Sequence, residues 1–233
     1  GSKGFRLDGN ATNDFSGASV SNAGDVNGDG FDDLIVGASG ADPNGYSSGS
    51  SYIIFGRSDF GRVVGSPGAA VTYELANLDG SNGFRLDGEA LDSSGSSVST
   101  AGDINGDGFD DVIVGAWGAD PNGELSGSSY VVFGKASGFN AAMNLSDLDG
   151  NNGFRLDGVS AYARLGLSVS NAGDVNGDGF DDVIVGAYGA DPNGFASGSS
   201  YVVFGKASGF DATMDLSSLD GDNGFRLDGV AAY

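Results

Sequence analysis

The chain has 233 residues, 44 of them glycine, with no histidine, no cysteine and a formal net charge of −22. A surface of that sign repels phosphate, which argues against a nucleic-acid or anionic-membrane partner. Without cysteine or histidine there is no disulfide framework, no thiolate chemistry and no Ser-His-Asp or Cys-His site within the chain. No apolar run approaches the roughly 18 residues of a membrane span, so no membrane insertion is expected, and the opening residues lack the pattern of a secretory leader.

Glycine stands at about 19%, well above a usual share of roughly 7%. It lacks the every-third-residue period of collagen and alternates with short β-branched and aromatic runs, so it reads as tight turns between strands. The chain is also internally repetitive. Gly-Phe-Arg-Leu-Asp-Gly starts at Gly4, Gly83, Gly153 and Gly224, at spacings of 79, 70 and 71 residues. We divide the chain into units at about 10–88, 89–158 and 159–229, with 1–9 as the fourth strand of a preceding unit. The excess of the longer first unit falls around 62–73. Residues 1–4 align with 80–83 and read as native repeat sequence, while 229–233 stop partway through a unit. That phase is expected of a window from a longer array, or of a piece that pairs with another.

Four strands are expected per unit. The first covers 18–21, 96–99 and 167–170, just before an acidic loop. The second follows that loop at 34–38, 112–116 and 183–187, where continuous apolar character suits a strand covered on both faces. The turn Gly-Ala-Asp-Pro-Asn-Gly, at Gly40, Gly118 and Gly189, leads to the third strand at 51–55, 129–133 and 200–204. A loop beginning at Leu78, Leu148 and Leu219 then leads to Phe-Arg-Leu-Asp, whose alternation predicts a half-exposed fourth strand. No window carries an apolar 3.6-residue period of useful length, which argues against a helical solenoid, and the hairpin signals and long units argue against a parallel β-helix. Four antiparallel strands in about 70 residues is the arithmetic of a β-propeller blade. The expected fold is therefore all-β, with three such blades belonging to a larger ring or an oligomer.

The acidic loops carry the chemistry. Positions 1, 3, 5 and 9 offer side-chain oxygens from Asp25, Asn27, Asp29 and Asp33; from Asp103, Asn105, Asp107 and Asp111; and from Asp174, Asn176, Asp178 and Asp182. The carbonyls of Phe31, Phe109 and Phe180 at position 7 stand ready as a further ligand. Alternate residues of a curving loop face one centre, and an all-oxygen donor set suits a hard cation, read here as calcium at three sites. The EF-hand and the dockerin repeat begin alike but want an acid at position 12. Val36, Val114 and Val185 stand there, inside a predicted strand, so both are rejected. Read blandly, the loops are Asn-Gly and Asp-Gly hairpin turns carrying solvated acids; threefold recurrence of all four oxygen side chains argues against that.

The order of strand, Asp-x-Asn-x-Asp-Gly-x-x-Asp loop and apolar strand ending in Gly-Ala resembles the FG-GAP repeat of integrin alpha-subunit β-propellers and of bacterial surface proteins. The resemblance covers essentially the whole chain. It implies that the loop joins the first two strands of a blade and holds calcium, and that seven blades close a ring, of which three are a part. The sequence departs from the pattern where Ser16, Ser94 and Leu165 replace the phenylalanine of Phe-Gly, and where Ser39, Trp117 and Tyr188 replace the proline after Gly-Ala. Those departures weaken integrin-like partner recognition and leave the loops untouched.

Three functions compete. The leading one is a non-enzymatic, calcium-binding structural or adhesive segment of a secreted, extracellular or cell-surface protein. Its partner is a protein or glycan at the cell surface, with self-association through open blade edges. The alternative is a lectin-like propeller using loop aromatics, with Trp117 the best sugar-stacking candidate and Tyr46, Glu124 and Phe195 varying at one equivalent position. A carboxylate-based glycan-active enzyme ranks below both, because no pair of acids stands apart from the repeat. Arg6, Arg85, Arg155 and Arg226 recur in the fourth strand; they are expected to pair with a nearby aspartate, ahead of binding an acidic ligand.

Overall fold

The computed structural model describes residues 4–58, 60, 71–207 and 209–230. The excess expected around 62–73 therefore lies mostly outside the described residues, as do 1–3 and 231–233. In the first unit, β2 (Ser19–Gly24), β3 (Asp33–Ala38) and β4 (Ser50–Ile54) run antiparallel and are joined by β6 (Gly83–Asp87). The second unit repeats this with β7 (Ser97–Gly102), β8 (Asp111–Ala116), β9 (Ser128–Val132) and β11 (Gly153–Asp157). The third does so with β12 (Leu165–Gly173), β13 (Asp182–Ala187), β14 (Ser199–Val203) and β16 (Gly224–Asp228). All four expected strands of each unit are present, in the expected order. The first strand is longer than its apolar residues suggest, because a register shift before Gly24 and its counterparts carries the pairing up to the acidic loop.

A short fifth strand was not anticipated. β10 (Ala142–Asn144) and β15 (Thr213–Asp215) leave their own units and pair in parallel with β6 and β11 of the sheet before. β5 (Val71–Glu74) does the same with β1 (Phe5–Asp8). Each is followed by a single 3-10 turn, at Leu75–Asn77, Leu145–Asp147 and Leu216–Ser218, whose leucine drops into the core. The units are thus laced together: the link of one edges the sheet of its predecessor. The expectation of a half-exposed fourth strand holds for β1 and β16, in the first and last sheets, and is corrected for β6 and β11. In β6 and β11 only the arginine is half-exposed, and Phe84, Leu86, Asp87, Phe154, Leu156 and Asp157 are buried.

The core lies between sheets. Ile35, Ile53 and Leu86 of the first sheet pack with Val112, Val114, Tyr130 and Val132 of the second. The other face of the second sheet, through Ile113, Val131 and Leu156, packs with Val183, Val185, Tyr201 and Val203 of the third. Because the second sheet is covered on both sides, every residue of β8 and β9 is buried, which is the reason for the apolar run at 112–116 in β8. The aromatic rings of the link close the outer end of each interface. Phe139 stacks on Phe84 at 4.6 Å and Phe210 on Phe154 at 4.5 Å between centroids. At the inner end the first strands lie side by side. Val98 N–H donates to Ser19 Oγ (3.0 Å), and Val169 N–H donates to Ser97 Oγ (3.1 Å).

Candidate metal centre

The three acidic loops span β2 to β3, β7 to β8 and β12 to β13, so all occupy the same corner of their sheets. Each folds on its own backbone in the same way. Asp25 accepts from Asp29 N–H (3.0 Å) and Gly30 N–H (2.9 Å), Asn27 Oδ1 accepts from Asp29 N–H (2.9 Å), and Asp29 Oδ1 accepts from Phe31 N–H (2.9 Å). Asn27 Nδ2 donates to Asp29 Oδ2 at 3.0 Å. The same set recurs with Asp103, Asn105 and Asp107. It recurs again with Asp174, Asn176 and Asp178. Side-chain oxygens of positions 1, 3 and 5 therefore turn inward, drawn by amides that a turn leaves unpaired.

Position 9 behaves differently. Asp33, Asp111 and Asp182 are wholly buried. Asp33 accepts from Val26 N–H (2.9 Å) at the start of its loop and from Gly56 N–H (2.7 Å) just past β4. Asp111 accepts from Ile104 and Gly134, and Asp182 from Val175 and Gly205, in the same manner. The ninth residue thus ties the loop to the end of the third strand, a role that ligand spacing alone does not show. Burial pushes the Asp33 carboxyl up to about 7 against the pull of those two amides, and the charges of Asp29 and Asp25 add to the rise. Asp111 is pushed up to about 8 for the same reasons, with Asp107 and Asp103 as the neighbouring charges, and burial also raises Asp182.

As placed, the expected ligands are neighbours without forming a closed cage. Among the described residues no group of three or more acidic, histidine or cysteine side chains is gathered in a geometry that holds a metal ion. The donor chemistry nonetheless fits a hard cation. Each carboxylate oxygen has two lone-pair directions, and apart from Asp174 Oδ1, which takes the amides of Gly177 and Asp178, each accepts from a single amide, so the side chains keep acceptor capacity toward a cation. Beyond the larger effect of burial, the charges of Asp29 and Asp25 raise the proton affinity of Asp33, and those of Asp107 and Asp103 that of Asp111.

The other residues singled out in the sequence fall elsewhere. The recurrent arginines pair as expected: Arg6 with Asp8, Arg85 with Asp87 and Arg155 with Asp157 at 2.6 Å, and Arg226 with Asp228 at 2.7 Å. Each pair shares one face of its strand, two residues apart. Trp117 is half-buried, and the Arg164 guanidinium lies 5.7 Å from its ring and 5.5 Å from that of Tyr188. Tyr46 and Phe195 are widely exposed. These aromatics sit on the loops between second and third strands, at the other end of the sheets from the acidic loops.

The FG-GAP repeat pattern matches residues 16–54, 94–132 and 165–203, each match running from the first strand through the acidic loop to the third strand. Among similar proteins, integrin alpha-4 of Xenopus laevis is 30% identical over 186 residues, covering 79% of this chain and 15% of that protein. Integrin alpha-V of Gallus gallus is 31% identical over 173 residues, covering 72% of this chain and 14% of that protein. Integrin alpha-PS2 of Drosophila melanogaster is 28% identical over 221 residues, 93% of this chain and 14% of that protein. The chain thus spans about a seventh of the length of these relatives. With three matched repeats, each placed on the same strands and the same loop, the chain belongs to the FG-GAP repeat family.

Proposed function

We propose that the chain is a calcium-stabilised sector of a β-propeller, with units 10–88, 89–158 and 159–229 as blades, serving as a structural or adhesive scaffold in an extracellular or cell-surface protein. The observation that carries this reading is the threefold recurrence of an all-oxygen loop at one corner of each sheet, every time with a buried ninth-position aspartate behind it. Asp25, Asn27, Asp29, Asp33 and the Phe31 carbonyl would hold the first ion. Asp103, Asn105, Asp107, Asp111 and the Phe109 carbonyl would hold the second, and Asp174, Asn176, Asp178, Asp182 and the Phe180 carbonyl the third. A bound calcium ion supplies two positive charges and takes six to eight oxygen ligands. The chain's own part is to hold the hairpin closed. Asp33 joins the loop start to the end of β4, so a loop locked in place locks three strands of its sheet.

An exterior location is supported by the affinities of extracellular calcium modules, roughly 0.1 to 1 mM, which suit calcium levels outside cells, and by the kinship with integrin alpha subunits. Among the described residues no helix is long and apolar enough to cross a membrane. A protein or glycan at the cell surface is the proposed partner, and self-association through open sheet edges is a further one. The decisive experiment is thermal unfolding of the chain in calcium at about 1 mM or above against excess chelator. A markedly lower melting temperature in chelator is expected, and coincident curves would overturn the calcium reading. A lectin-like function is a second reading, favoured by the exposure of Tyr46 and Phe195. A glycan array in calcium, with Trp117→Ala as control, tests it, and absence of binding to every glycan counts against it.

A further inference from the structure

The acidic loops are not independent of one another. Asp110, the eighth residue of the second loop, reaches back to the first: its Oδ2 accepts from Asp25 N–H at 2.7 Å, and its own N–H donates to the Asp25 carbonyl at 3.2 Å. One residue of the second unit therefore holds both backbone polar groups of the first residue of the neighbouring loop. Asp181 repeats the arrangement on Asp103, at 3.0 and 3.4 Å. The contact needs glycine in front of it. A Cβ built at Gly24 would stand 2.3 Å from the Asp110 carboxylate, and one at Gly102 would stand 2.1 Å from that of Asp181.

Two more contacts follow the same path. The Phe109 ring lies over Gly28, where a Cβ would come within 2.4 Å of it, and Phe180 lies over Gly106 in the same way. Lys135 N–H donates to the Val26 carbonyl (3.0 Å), and Lys206 N–H to that of Ile104 (2.9 Å). As a result Val26 and Ile104 are buried and Asp25 and Asp103 half-buried. In the third loop, Val175 is half-exposed to solvent at 50% and Asp174 is exposed.

We propose that the eighth-position aspartate is a positioning residue for the cation loop of the preceding unit, so that Asp110 sets the affinity of the Asp25 site and Asp181 that of the Asp103 site. This rests on the reading of the loops as calcium sites. The physical basis is that a ligand side chain is only as well placed as its own main chain, and a charge-assisted hydrogen bond to the Asp25 amide fixes that main chain. Loss of such an outer contact typically weakens metal binding by about 10- to 100-fold. The consequence is directional: a substitution in one unit impairs the site of the unit before it.

Calcium chloride titration by calorimetry on the 233-residue chain tests this. In Asp110→Ala one site is expected to weaken by about 10- to 100-fold. The loss should persist when the second loop is disabled by Asp107→Ala and vanish when the first is disabled by Asp29→Ala. Asp110→Asn, which keeps an acceptor oxygen and the side-chain volume, should recover most of the affinity. Asp32→Ala, at the same position of the first unit but exposed, should leave all sites unchanged. A loss that follows the second loop instead, or an equal loss in Asp32→Ala, overturns the proposal. If the unaltered chain takes up no calcium, the calcium reading fails. The positioning role is then judged by amide hydrogen exchange in chelator, where slow exchange at Asp25 that becomes fast in Asp110→Ala is expected and fast exchange at Asp25 in the unaltered chain refutes it.

Discussion

Replacing Gly115 with alanine probes the closest approach between sheets. Gly37, Gly115 and Gly186 occupy one position in the second strand of the three units, and none needs a left-handed backbone. A Cβ built at Gly115 would lie 1.9 Å from the Gly166 carbonyl oxygen and 2.8 Å from its carbon, both main-chain atoms that cannot rotate away. Non-bonded carbon contacts settle at about 3.5–4.0 Å, so β8 and the start of β12 would have to part by roughly 1.5 Å. A gap of about 0.5–1 Å already forfeits a quarter to a half of the dispersion well of facing atoms. The Ile113, Val131, Val183 and Val185 interface lies along that seam. The expected cost sits at or above the upper end of the about 1–3 kcal/mol that overpacking incurs. Gly186→Ala is the internal control, because its Cβ would meet nothing closer than 3.6 Å. Urea unfolding of both variants decides the matter. If Gly115→Ala is no more destabilising than Gly186→Ala, the sheets do not pack face to face at this distance.

Further outcomes are expected. A tenfold excess of free calcium over its dissociation constant adds about 1.4 kcal/mol per site, and a chain of this size moves by roughly 2–4 °C per kcal/mol. Differential scanning calorimetry should therefore show a shift of well over 5 °C between calcium and chelator; Asp29→Ala, Asp107→Ala and Asp178→Ala should each remove about a third of it. Burial, helped by the charge of Glu89, raises the Asp92 carboxyl to about 6. Its stabilising contribution is thus complete below the unfolded value near 4 and is lost as pH rises through 6. Urea midpoints of wild type relative to Asp92→Asn should fall between pH 4.5 and 7.5, and a constant difference would contradict the burial argument. Arg85→Met strands the buried Asp87 carboxylate, to which the Ser50 hydroxyl still donates at 2.9 Å. It should cost about 1–3 kcal/mol, partly restored in Arg85→Met with Asp87→Asn; equal stability of single and double variants would argue that the pair is not coupled.

The strands that recur in sequence are legible because each satisfies a local rule. The apolar run after Asp33, Asp111 and Asp182 is a strand buried on both faces, and Asp-Pro-Asn-Gly is turn chemistry wherever it occurs. The oxygen ladder of the acidic loops is equally local, since positions 1, 3 and 5 capture amides within five residues of themselves. The fifth strand had no such signature. Three residues long, β10 and β15 find their partners only in the sheet of another unit, so the near-identical recurrence of 135–150 at 206–221 marks the segment as part of the repeat without marking it as a strand.

Local composition thus determined the four recurrent strands of each unit, where the turns fall and which oxygens line each loop, because these depend on residues a few positions apart. Tertiary structure decided what those pieces do for one another. That Asp33 ties a loop to Gly56, that Asp110 holds the amide of Asp25, and that Gly115 admits Gly166 are contacts over 23, 85 and about 50 residues of chain. Such pairings exist only once the sheets have stacked, since hydrogen bonds and close approaches are fixed by distance in space and not by order along the sequence.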